Sequence, residues 1–283
     1  MSDLGQGYLS TPPCGKNFLE VPEQTTAQQA SKVKKIIAVL SGKGGVGKST
    51  VAAMLAIELH RRGNKAGILD ADITGPSIPR LFGLEDNAVM SEQGMLPVES
   101  RAGLKVMSLN LIIADKEDPV IWRGPILSQL VTQFWTEVVW GDLDYLILDL
   151  PPGTGDIPIT IFQSLPVDGV IVVTSPQQLA SMVVRKAIKM VKKYDAAFYG
   201  LVENMAFFTC GGCQAVHEIF GPSRGEDEAK FNDIPFLGTL PLDPTLTALG
   251  DNGLLEDYKS EAFVNFADKV LEQEKYVPAA QKA

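Results

Sequence analysis

Short apolar segments recur along the chain from Lys34 onward, each bounded by polar or glycine-containing stretches. Seven segments share this character: KKIIAVLS, KAGILDAD, GLKVMSLN, DYLILDLP, DGVIVVTSP, AAFYGLVEN and IPFLGTLP. Short, nearly continuous apolar runs are typical of strands that are buried on both faces of a sheet. The pattern therefore predicts seven buried strands.

Between some of these strands the apolar residues recur at helical spacing instead. Three such segments have apolar stripes: Val51, Met54, Leu55 and Leu59 in the first, Leu127, Leu130, Val131, Phe134 and Val138 in the second, and Leu179, Met182, Val183, Met190 and Val191 in the third. Gly63 is a natural stop for the first helix, Pro125 fits the first turn of the second, and Ser175 is the expected N-cap of the third. A stripe containing Phe263 and Phe266 predicts a further helix, docked on the rest of the chain.

Strands that alternate with helices predict an α/β fold, with a mostly parallel sheet flanked by helices on both faces in three α/β/α layers. Residues 32–275 are predicted to form a single domain, because no internal repeat or linker divides them. Residues 1–31 are polar and irregular and predict a mobile N-terminal tail, and residues 276–283 predict a C-terminal tail. In such sheets, ligands bind beyond the carboxyl ends of the strands.

The composition narrows the function classes. The chain has 283 residues, is 45% hydrophobic, and contains no apolar run long enough to cross a bilayer, so an integral membrane protein is not expected. Lys and Arg number 25 against 34 Asp and Glu, and the resulting net charge of −9 argues against a nucleic-acid-binding surface. The N-terminal residues do not have the pattern of a secretory signal or a transit peptide, and three cysteines do not make a disulfide framework. A cytoplasmic location is expected.

The segment LSGKGGVGKST follows a predicted strand, opens a predicted helix, and contains the pattern G-x-x-x-x-G-K-[ST]. Glycines at these positions let backbone N–H groups turn toward phosphate oxygens at the positive end of a helix. Lys48 is expected to reach the β- and γ-phosphates of a nucleotide, and Ser49 to hold Mg²⁺. The predicted nucleotide-binding residues of this segment are Gly42, Lys43, Gly44, Gly45, Val46, Gly47, Lys48, Ser49 and Thr50.

Acidic residues follow two of the predicted strands on the side where the nucleotide would lie. Asp149 ends the run DYLILD and suits a role in holding Mg²⁺ through water. Asp70 and Asp72 end the run ILDAD; Asp72, placed beyond the strand, is the better candidate to orient or deprotonate the attacking water. The alternative for both Asp70 and Asp72 is a capping or packing role.

Two of the three cysteines lie in FFTCGGCQAVHEIFG, within a long loop predicted at 207–235. A structural zinc site or a cubane cluster needs four protein ligands, and Cys210 and Cys213 supply two. Four interpretations are open. The pair belongs to a zinc site completed by Cys14 and His217, forms a dithiol/disulfide switch, consists of inert loop cysteines, or contributes to a metal site shared across a two-fold dimer. In the last, two copies of the loop supply four thiolates, which suits one [4Fe–4S] cluster.

Several stretches resemble, in the same order, the Mrp/ApbC family of iron–sulfur carriers, which are deviant-P-loop ATPases. The resemblance covers residues 34 to about 270 and rests on KGGVGKST, DADITGPSIPRLFG, PVIWRGPILSQLVTQFWTEVVWGDLDYLILDLPPGTGD, GLVENMAFFTCGGC, HEIFG and PFLGTLPLDP. It implies a homodimer in which Lys43 crosses the interface and stabilises charge at the partner's nucleotide. It also implies that Asn204, which ends the predicted strand AAFYGLVEN, reads the adenine edge, and that Cys210 and Cys213 hold a labile cluster between subunits. The alternative for Asn204 is an asparagine that finishes a strand turn.

One departure from that family concerns the N-terminus. Relatives in eukaryotic cytosol carry a four-cysteine N-terminal motif, whereas here only Cys14 is present, so a second cluster is not expected.

These features predict a homodimeric, slow ATPase that uses ATP and Mg²⁺, carries a [4Fe–4S] cluster bridging two subunits, and transfers it to apoproteins. Zinc is a possible substitute for the cluster, and the predicted catalytic residues are Lys43, Lys48, Asp72 and Asp149. The alternative is a positioning ATPase of the partition or septum-site kind, which acts through an ATP-dependent dimer without a metal cluster. The net charge and the mixed charges of the C-terminal helix argue against it, because such ATPases need basic surfaces for DNA or membranes.

Overall fold

The computed structural model describes residues 24–73, 75–113, 124–177 and 180–277, with a mixed sheet at the centre. In chain order the strands are β1 (Lys32–Ser41), β2 (Ala66–Asp70), β3 (Val89–Met90), β4 (Met95–Leu96), β5 (Val98–Glu99), β6 (Lys105–Met107), β7 (Asp142–Asp149), β8 (Gly169–Thr174), β9 (Phe198–Thr209), β10 (Val216–His217) and β11 (Phe236–Pro241). The order across the main sheet is β10-β9-β8-β1-β7-β2-β6-β5, with β11 also paired to β9, and β3 pairs with β4 separately. Neighbours in the main sheet are parallel except for β5 with β6 and β10 with β9, which confirms the predicted sheet.

Helices cover both faces of this sheet. In chain order they are α1 (Thr26–Gln29), α2 (Lys48–Arg61), α3 (Ile78–Leu81), α4 (Gly124–Thr136), α5 (Asp156–Ser164), α6 (Ala180–Lys193), α7 (Gly225–Asn232), α8 (Pro244–Asp251) and α9 (Glu261–Gln273), with short 3₁₀ helices at Leu109–Leu111, Leu255–Asp257 and Glu274–Tyr276. One apolar cluster joins α2, α3, α8 and α9 to the sheet, and a second joins α4, α5, α6 and α7 to it.

The central strand β1 shows how the sequence produces these layers. Ile37 and Val39 point into the cluster with α2 and α9, whereas Ile36, Ala38 and Leu40 point into the opposite cluster. Successive side chains of a strand alternate between faces, so a continuous apolar run supplies both clusters at once. Full burial of each large aliphatic side chain contributes about 1.5–3 kcal/mol. The three-layer α/β/α class predicted from the sequence is confirmed.

Strand order sets which strand ends meet. β1 lies between β7 and β8, and β7 in turn separates β1 from β2. The register of β2 on β7 puts Asp70 opposite Asp149 at the carboxyl ends of the two strands. The loop that follows β1 therefore opens beside these two carboxylates.

Two helix predictions need correction. Ser175 is buried and follows β8 directly, while α6 begins at Ala180, so Ser175 is not its N-cap. The buried face of α6 consists of Val184, Ala187, Ile188 and Val191. Of the stripe predicted for this helix, Met182 is exposed and Leu179 lies outside the described residues. The α4 helix includes Pro125 in its first turn, as expected, but ends at Thr136, before Val138.

The segments predicted as tails and as a long loop also differ from expectation. Residues 1–23, with Cys14, and residues 278–283 lie outside the described part of the chain. Residues 24–31 are packed, because α1 has a capping box at Thr25, whose hydroxyl donates to the Thr136 carbonyl, and Ala27 is buried. Val277 is buried as well.

Residues 207–235, predicted as a long loop, contain the end of β9, the hairpin to β10 and the helix α7. The sequence pattern did not predict α7, because few of its side chains are buried.

Candidate nucleotide site and cysteine loop

The phosphate loop, residues 42–47, connects the carboxyl end of β1 to the first residue of α2. Gly47 has φ 76°, a left-handed conformation that glycine adopts without steric cost, and it is the N-cap of α2. As a glycine it leaves the first N–H groups of α2 without a side-chain cap. Four N–H groups at a helix start lack intrahelical partners, so this end of α2 suits an anion such as a phosphate.

Lys48 forms a buried ion pair at this loop. Its Nζ donates to Oδ1 of Asp149 at 2.5 Å and to Oγ of Ser49 at 3.2 Å. The Lys48 side chain is 6% exposed and that of Asp149 is fully buried. Removal of one partner from such a pair leaves an uncompensated buried charge. The pair holds the lysine at the loop, where a nucleotide's phosphates would meet it.

The residues around Ser49 fit a divalent cation. Oδ2 of Asp149 is buried and has no hydrogen-bond partner within the described structure. Buried polar atoms are almost always satisfied, so an orphan carboxylate oxygen indicates a missing water or ion. Hydroxyl and carboxylate oxygens are ligands that Mg²⁺ prefers, directly or through water. Ser49 and Asp149 thus offer the donor set that the sequence predicted.

Asp70 is fully buried beside this pair. Its carboxylate accepts hydrogen bonds from the N–H groups of Asp72 and Ile78 at 3.1 and 3.2 Å, and from the Ser108 hydroxyl at 3.2 Å. Burial, and after it the neighbouring Asp149 carboxylate, raise the pKa of Asp70 to about 8 against the opposing effects of Lys48 and the two N–H bonds. These contacts make Asp70 a packed residue that fixes the segment carrying Asp72. The packing role weighed from the sequence is the one its contacts support.

Asp72 and Lys43 take less buried positions. Oδ2 of Asp72 lies 4.0 Å from Nζ of Lys48, and its side chain is 15% exposed. Lys43 is half-buried in the phosphate loop, and its Nζ donates to Oε1 of the exposed Gln177 at 2.6 Å. Lys43 therefore reaches outward from the loop, away from the Lys48–Asp149 pair.

Asn204 is bonded to the backbone of the phosphate loop. Its Nδ2 donates to the Val46 carbonyl at 2.9 Å, and its buried Oδ1 has no partner among the described residues. A cavity of about 170 Å³ adjoins it and is lined in part by Thr50, Met205 and Thr247. Asn204 was expected at the end of a strand, but β9 continues past it to Thr209. The residue thus joins the phosphate loop to the cavity wall with a free acceptor.

The cysteine loop, residues 210–222, extends from the end of β9. The Cys210 N–H donates to the Ala215 carbonyl and the Gln214 N–H to the Cys210 carbonyl, both at 2.9 Å. Cys210 is half-exposed, and residues 211–220, including Cys213, are exposed. The N–H groups of Cys213 and Gly212, with the Cys213 thiol, hold the pKa of the Cys210 thiol below its ordinary value. Donors aimed at a sulfur stabilise the thiolate, which is the form that binds metal.

The two cysteines have no further metal-binding partners in the described structure. Across those residues, no three His, Cys, Asp or Glu side chains come close enough together to hold a metal ion. His217 pairs with Phe208 across the β9–β10 hairpin and is exposed. A zinc site within one chain would therefore depend on Cys14, which is outside the described residues.

Three contacts of the site were not found from the sequence. Gln177 holds Lys43, Ser108 donates to Asp70, and Glu203 holds the segment after the cysteine loop. Only Glu203 had a usable signal, because a charged residue inside an apolar strand is almost always paired when buried. The other two contacts join residues that are distant in sequence and ordinary in their surroundings.

Comparison with known proteins places these features in a family. Residues 32–273 match the sequence model of the ParA family described as NUBPL iron-transfer P-loop NTPase. The chain is 43% identical over 270 residues to the iron-sulfur cluster carrier protein of Methanocaldococcus jannaschii, covering 93% of each chain. It is 46% identical over 237 residues to a protein of Trichoplax adhaerens named cytosolic Fe-S cluster assembly factor NUBP2 homolog, covering 82% of this chain and 89% of that one.

A solved structure agrees with these relatives. The nucleotide-binding protein of Archaeoglobus fulgidus in complex with ADP is 41% identical and superimposes with a TM-score of 0.74, covering 84% of this chain and 94% of that one. Among the helices formed by the described residues, none has the length and apolar character needed to cross a lipid bilayer.

Proposed function

The chain belongs to the family of NUBPL iron-transfer P-loop NTPases, and we propose that it is a homodimeric ATPase that carries an iron–sulfur cluster and delivers it to apoproteins. The names of its relatives, a cluster carrier and a cluster assembly factor, support the cargo. The relative that binds ADP supports the nucleotide.

The observation that carries this proposal is the half-site at the cysteine loop. Cys210 and Cys213 are accessible, the Cys210 sulfur accepts backbone hydrogen bonds, and no third metal ligand of the described chain lies near them. A two-fold dimer repeats each surface patch, so two such loops at the axis supply four thiolates. Four thiolates are the ligand set of a [4Fe–4S] cluster. Zinc, which also accepts four thiolates, is the expected substitute in preparations without iron.

The nucleotide half of the proposal rests on the phosphate loop. We assign the backbone from Gly42 to Gly47, with the side chains of Lys48 and Thr50, to ATP, and Ser49 with Asp149 to Mg²⁺. When bound, Mg²⁺ supplies charge neutralisation at the β- and γ-phosphates. Asp72, close to Lys48 and partly exposed, orients the attacking water. ATP hydrolysis is expected to be slow, because its proposed role is to change the arrangement of the two subunits and not to turn over a metabolic substrate.

Two residues link the nucleotide to the rest of the assembly. We assign Lys43 to the partner's nucleotide, where its charge stabilises the transferring phosphoryl group across the interface. Its outward direction supports this, although the contact with Gln177 must then open. We assign Asn204 to the adenine edge, supported by its orphan Oδ1 beside the cavity, an acceptor suited to an amino group. The single domain proposed at residues 32–275 is extended by the packed residues 24–31 and by Val277. The location is proposed to be cytoplasmic, as the name of the Trichoplax relative suggests.

Anaerobic reconstitution tests the cargo. Protein treated with iron and sulfide should turn brown, with broad absorbance near about 400 nm, and should contain one cluster's iron and sulfide per dimer. Cys210→Ala and Cys213→Ala should each abolish the colour while nucleotide binding persists. A colourless dimer that contains only zinc would contradict the cluster and favour a positioning ATPase without a metal cluster.

A further inference from the structure

Glu203 is a buried carboxylate within the apolar strand β9. The residue is 1% exposed. Oε2 accepts a hydrogen bond from the Ser223 hydroxyl, and Oε1 accepts one from the Arg224 N–H at 3.0 Å. A carboxylate this deeply buried is costly unless it is hydrogen-bonded, so these two bonds hold Ser223 and Arg224 firmly against the strand.

These two residues mark the point where the chain returns from the cysteine loop. The cysteine loop leaves β9 after Thr209, and Ser223 and Arg224 connect it to α7, which begins at Gly225. A Cβ on Gly225 would lie 2.8 Å from Cβ of Glu203, so the start of α7 lies directly against this residue. Glu203 therefore holds the end of the cysteine loop against β9, the strand from which the loop starts.

Little else fixes the position of the loop. Residues 211–220 are exposed and bury no side chain in either apolar cluster. One anchor is the short pairing of β10 with β9, at Val216 with Thr209 and His217 with Phe208. The second anchor is the start of α7, where Glu203 binds Ser223 and Arg224 and where Gly225 packs against Phe236. A segment with few buried contacts opens at low free energy, so each of its anchors matters for where its side chains lie.

The strand that carries this anchor also touches the phosphate loop. Asn204, the next residue, faces the other side of the sheet, where its amide donates to the Val46 carbonyl. Two adjacent residues of one strand therefore hold the cysteine loop and the phosphate loop. A displacement of β9 at this point moves both loops together.

We infer that Glu203 is a positioning residue for cluster binding: its carboxylate fixes the return of the cysteine loop and so sets how firmly Cys210 and Cys213 hold their cargo. The inference rests on the proposed cluster-carrier function. It assigns to Glu203 no contact with the cluster.

The experiment compares reconstituted wild type with Glu203→Ala and Glu203→Gln. The decay of the cluster absorbance in excess iron chelator gives the rate of cluster loss. Glu203→Ala removes two hydrogen bonds to a charged group and should accelerate loss about tenfold or more. Glu203→Gln keeps an acceptor for the Arg224 N–H and an amide for the Ser223 hydroxyl, so its rate should stay within about threefold of wild type.

A matched control separates positioning from general loss of stability. Glu58 is 2% exposed and forms ion pairs with Arg61 and Arg62 at the far end of α2. Glu58→Ala should lower the melting temperature while cluster loss stays at the wild-type rate. Equal acceleration by Glu58→Ala, or wild-type loss from Glu203→Ala, would overturn the inference. If Glu203→Ala does not fold, Ser223→Ala, which removes one bond, should accelerate loss about threefold, and an unchanged rate would overturn it too.

Failure of the proposed function is distinguishable from failure of the inference. If wild type assembles no cluster, the proposed function fails, and hydrogen exchange of residues 210–224 in the cluster-free protein then decides the role of Glu203. Faster exchange in Glu203→Ala, confined to that segment and restored by Glu203→Gln, supports positioning of the loop. Unchanged exchange overturns it.

Discussion

The phosphate loop and the cysteine loop are both glycine-containing excursions from the carboxyl ends of strands, yet they are built in opposite ways. Around the phosphate loop, Lys48, Asp149 and Asn204 are buried and bonded to one another or to the loop backbone. Around the cysteine loop, residues 211–220 are exposed. The first site is organised by one chain before any ligand arrives, whereas the second presents two of the four ligands that a cluster needs.

This difference has a consequence for ligand exchange. A preorganised, buried site holds its ligand with little reorganisation. In the proposed dimer, a cluster held by two ligands from each chain is lost whenever the chains separate or tilt. For a carrier, tight nucleotide binding and loose cluster binding are both useful, because the cluster must leave while the protein stays folded.

The two lysines of the phosphate loop provide the test with the largest expected effect. Lys48→Ala removes the cation from a buried pair and from the phosphates, so nucleotide affinity should fall about 100-fold or more. Lys43→Ala should leave nucleotide affinity within about threefold of wild type, because its Nζ contacts exposed Gln177. ATP-dependent dimerisation and hydrolysis should nevertheless be lost. Nucleotide titration, light scattering and phosphate release measure the three quantities.

The same variants test whether the two sites are separate. Reconstituted without nucleotide, both should assemble as much cluster as wild type, since neither lysine lies in the cysteine loop and the cluster itself joins two chains through their four thiolates. Parallel loss of nucleotide and cluster in Lys48→Ala would mean that the cysteine loop depends on the phosphate loop for its structure. Full dimerisation and hydrolysis by Lys43→Ala would remove the role assigned to that residue.

Gly45 and Gly47 give a smaller and finely matched test of preorganisation. Both have left-handed backbones, with φ 78° and 76°, so an alanine at either costs roughly 1–2 kcal/mol. Only at Gly47 would the new Cβ meet a side chain, 2.3 Å from Nδ2 of Asn204, whereas at Gly45 nothing lies within 4 Å. Gly47→Ala should therefore also displace Asn204 from the Val46 carbonyl, a further loss of about 0.5–1.5 kcal/mol. Thermal unfolding and nucleotide titration should both rank Gly47→Ala below Gly45→Ala; equal effects would show that Asn204 moves freely.

The phosphate loop could be predicted from the sequence because its chemistry is local. Residues 42–50 are contiguous, the strand before them is a continuous apolar run, and the helix after them is buried from Val51 to Leu59. The buried faces of β1 and the docked helix α9 were predictable for the same reason. Asp149 and Asp70 were recognised as strand-end acids, but their direct opposition depends on β7 lying between β1 and β2, which no local pattern encodes.

The rest depended on tertiary packing. The α6 sequence contains two overlapping apolar stripes, and contacts with the sheet select Val184, Ala187, Ile188 and Val191. The α1 helix has a polar sequence and is held by Thr25 against the Thr136 carbonyl, across more than a hundred residues of chain. The contact of Glu203 with Ser223 and Arg224 is likewise non-local, so the anchored form of the cysteine loop was not visible in the sequence.

The smallest expected effect concerns the cysteine loop itself. In cluster-free protein, the N–H groups of Cys213 and Gly212 lower the pKa of the Cys210 thiol. The thiolate is the species that alkylating reagents attack, so the pH midpoint of Cys210 alkylation by iodoacetamide should lie below that of an ordinary thiol. Peptide mass spectrometry resolves Cys210 from the other cysteines.

Denaturant provides the control. It removes the turn from Cys210 to Cys213, so the pH midpoint of Cys210 alkylation should return to the ordinary thiol value. An identical midpoint in folded and denatured protein would show that the turn donates nothing to the sulfur. The cysteine loop would then lack even the local order that its two hydrogen-bond donors provide, and the contrast with the phosphate loop would be wider than the contacts indicate.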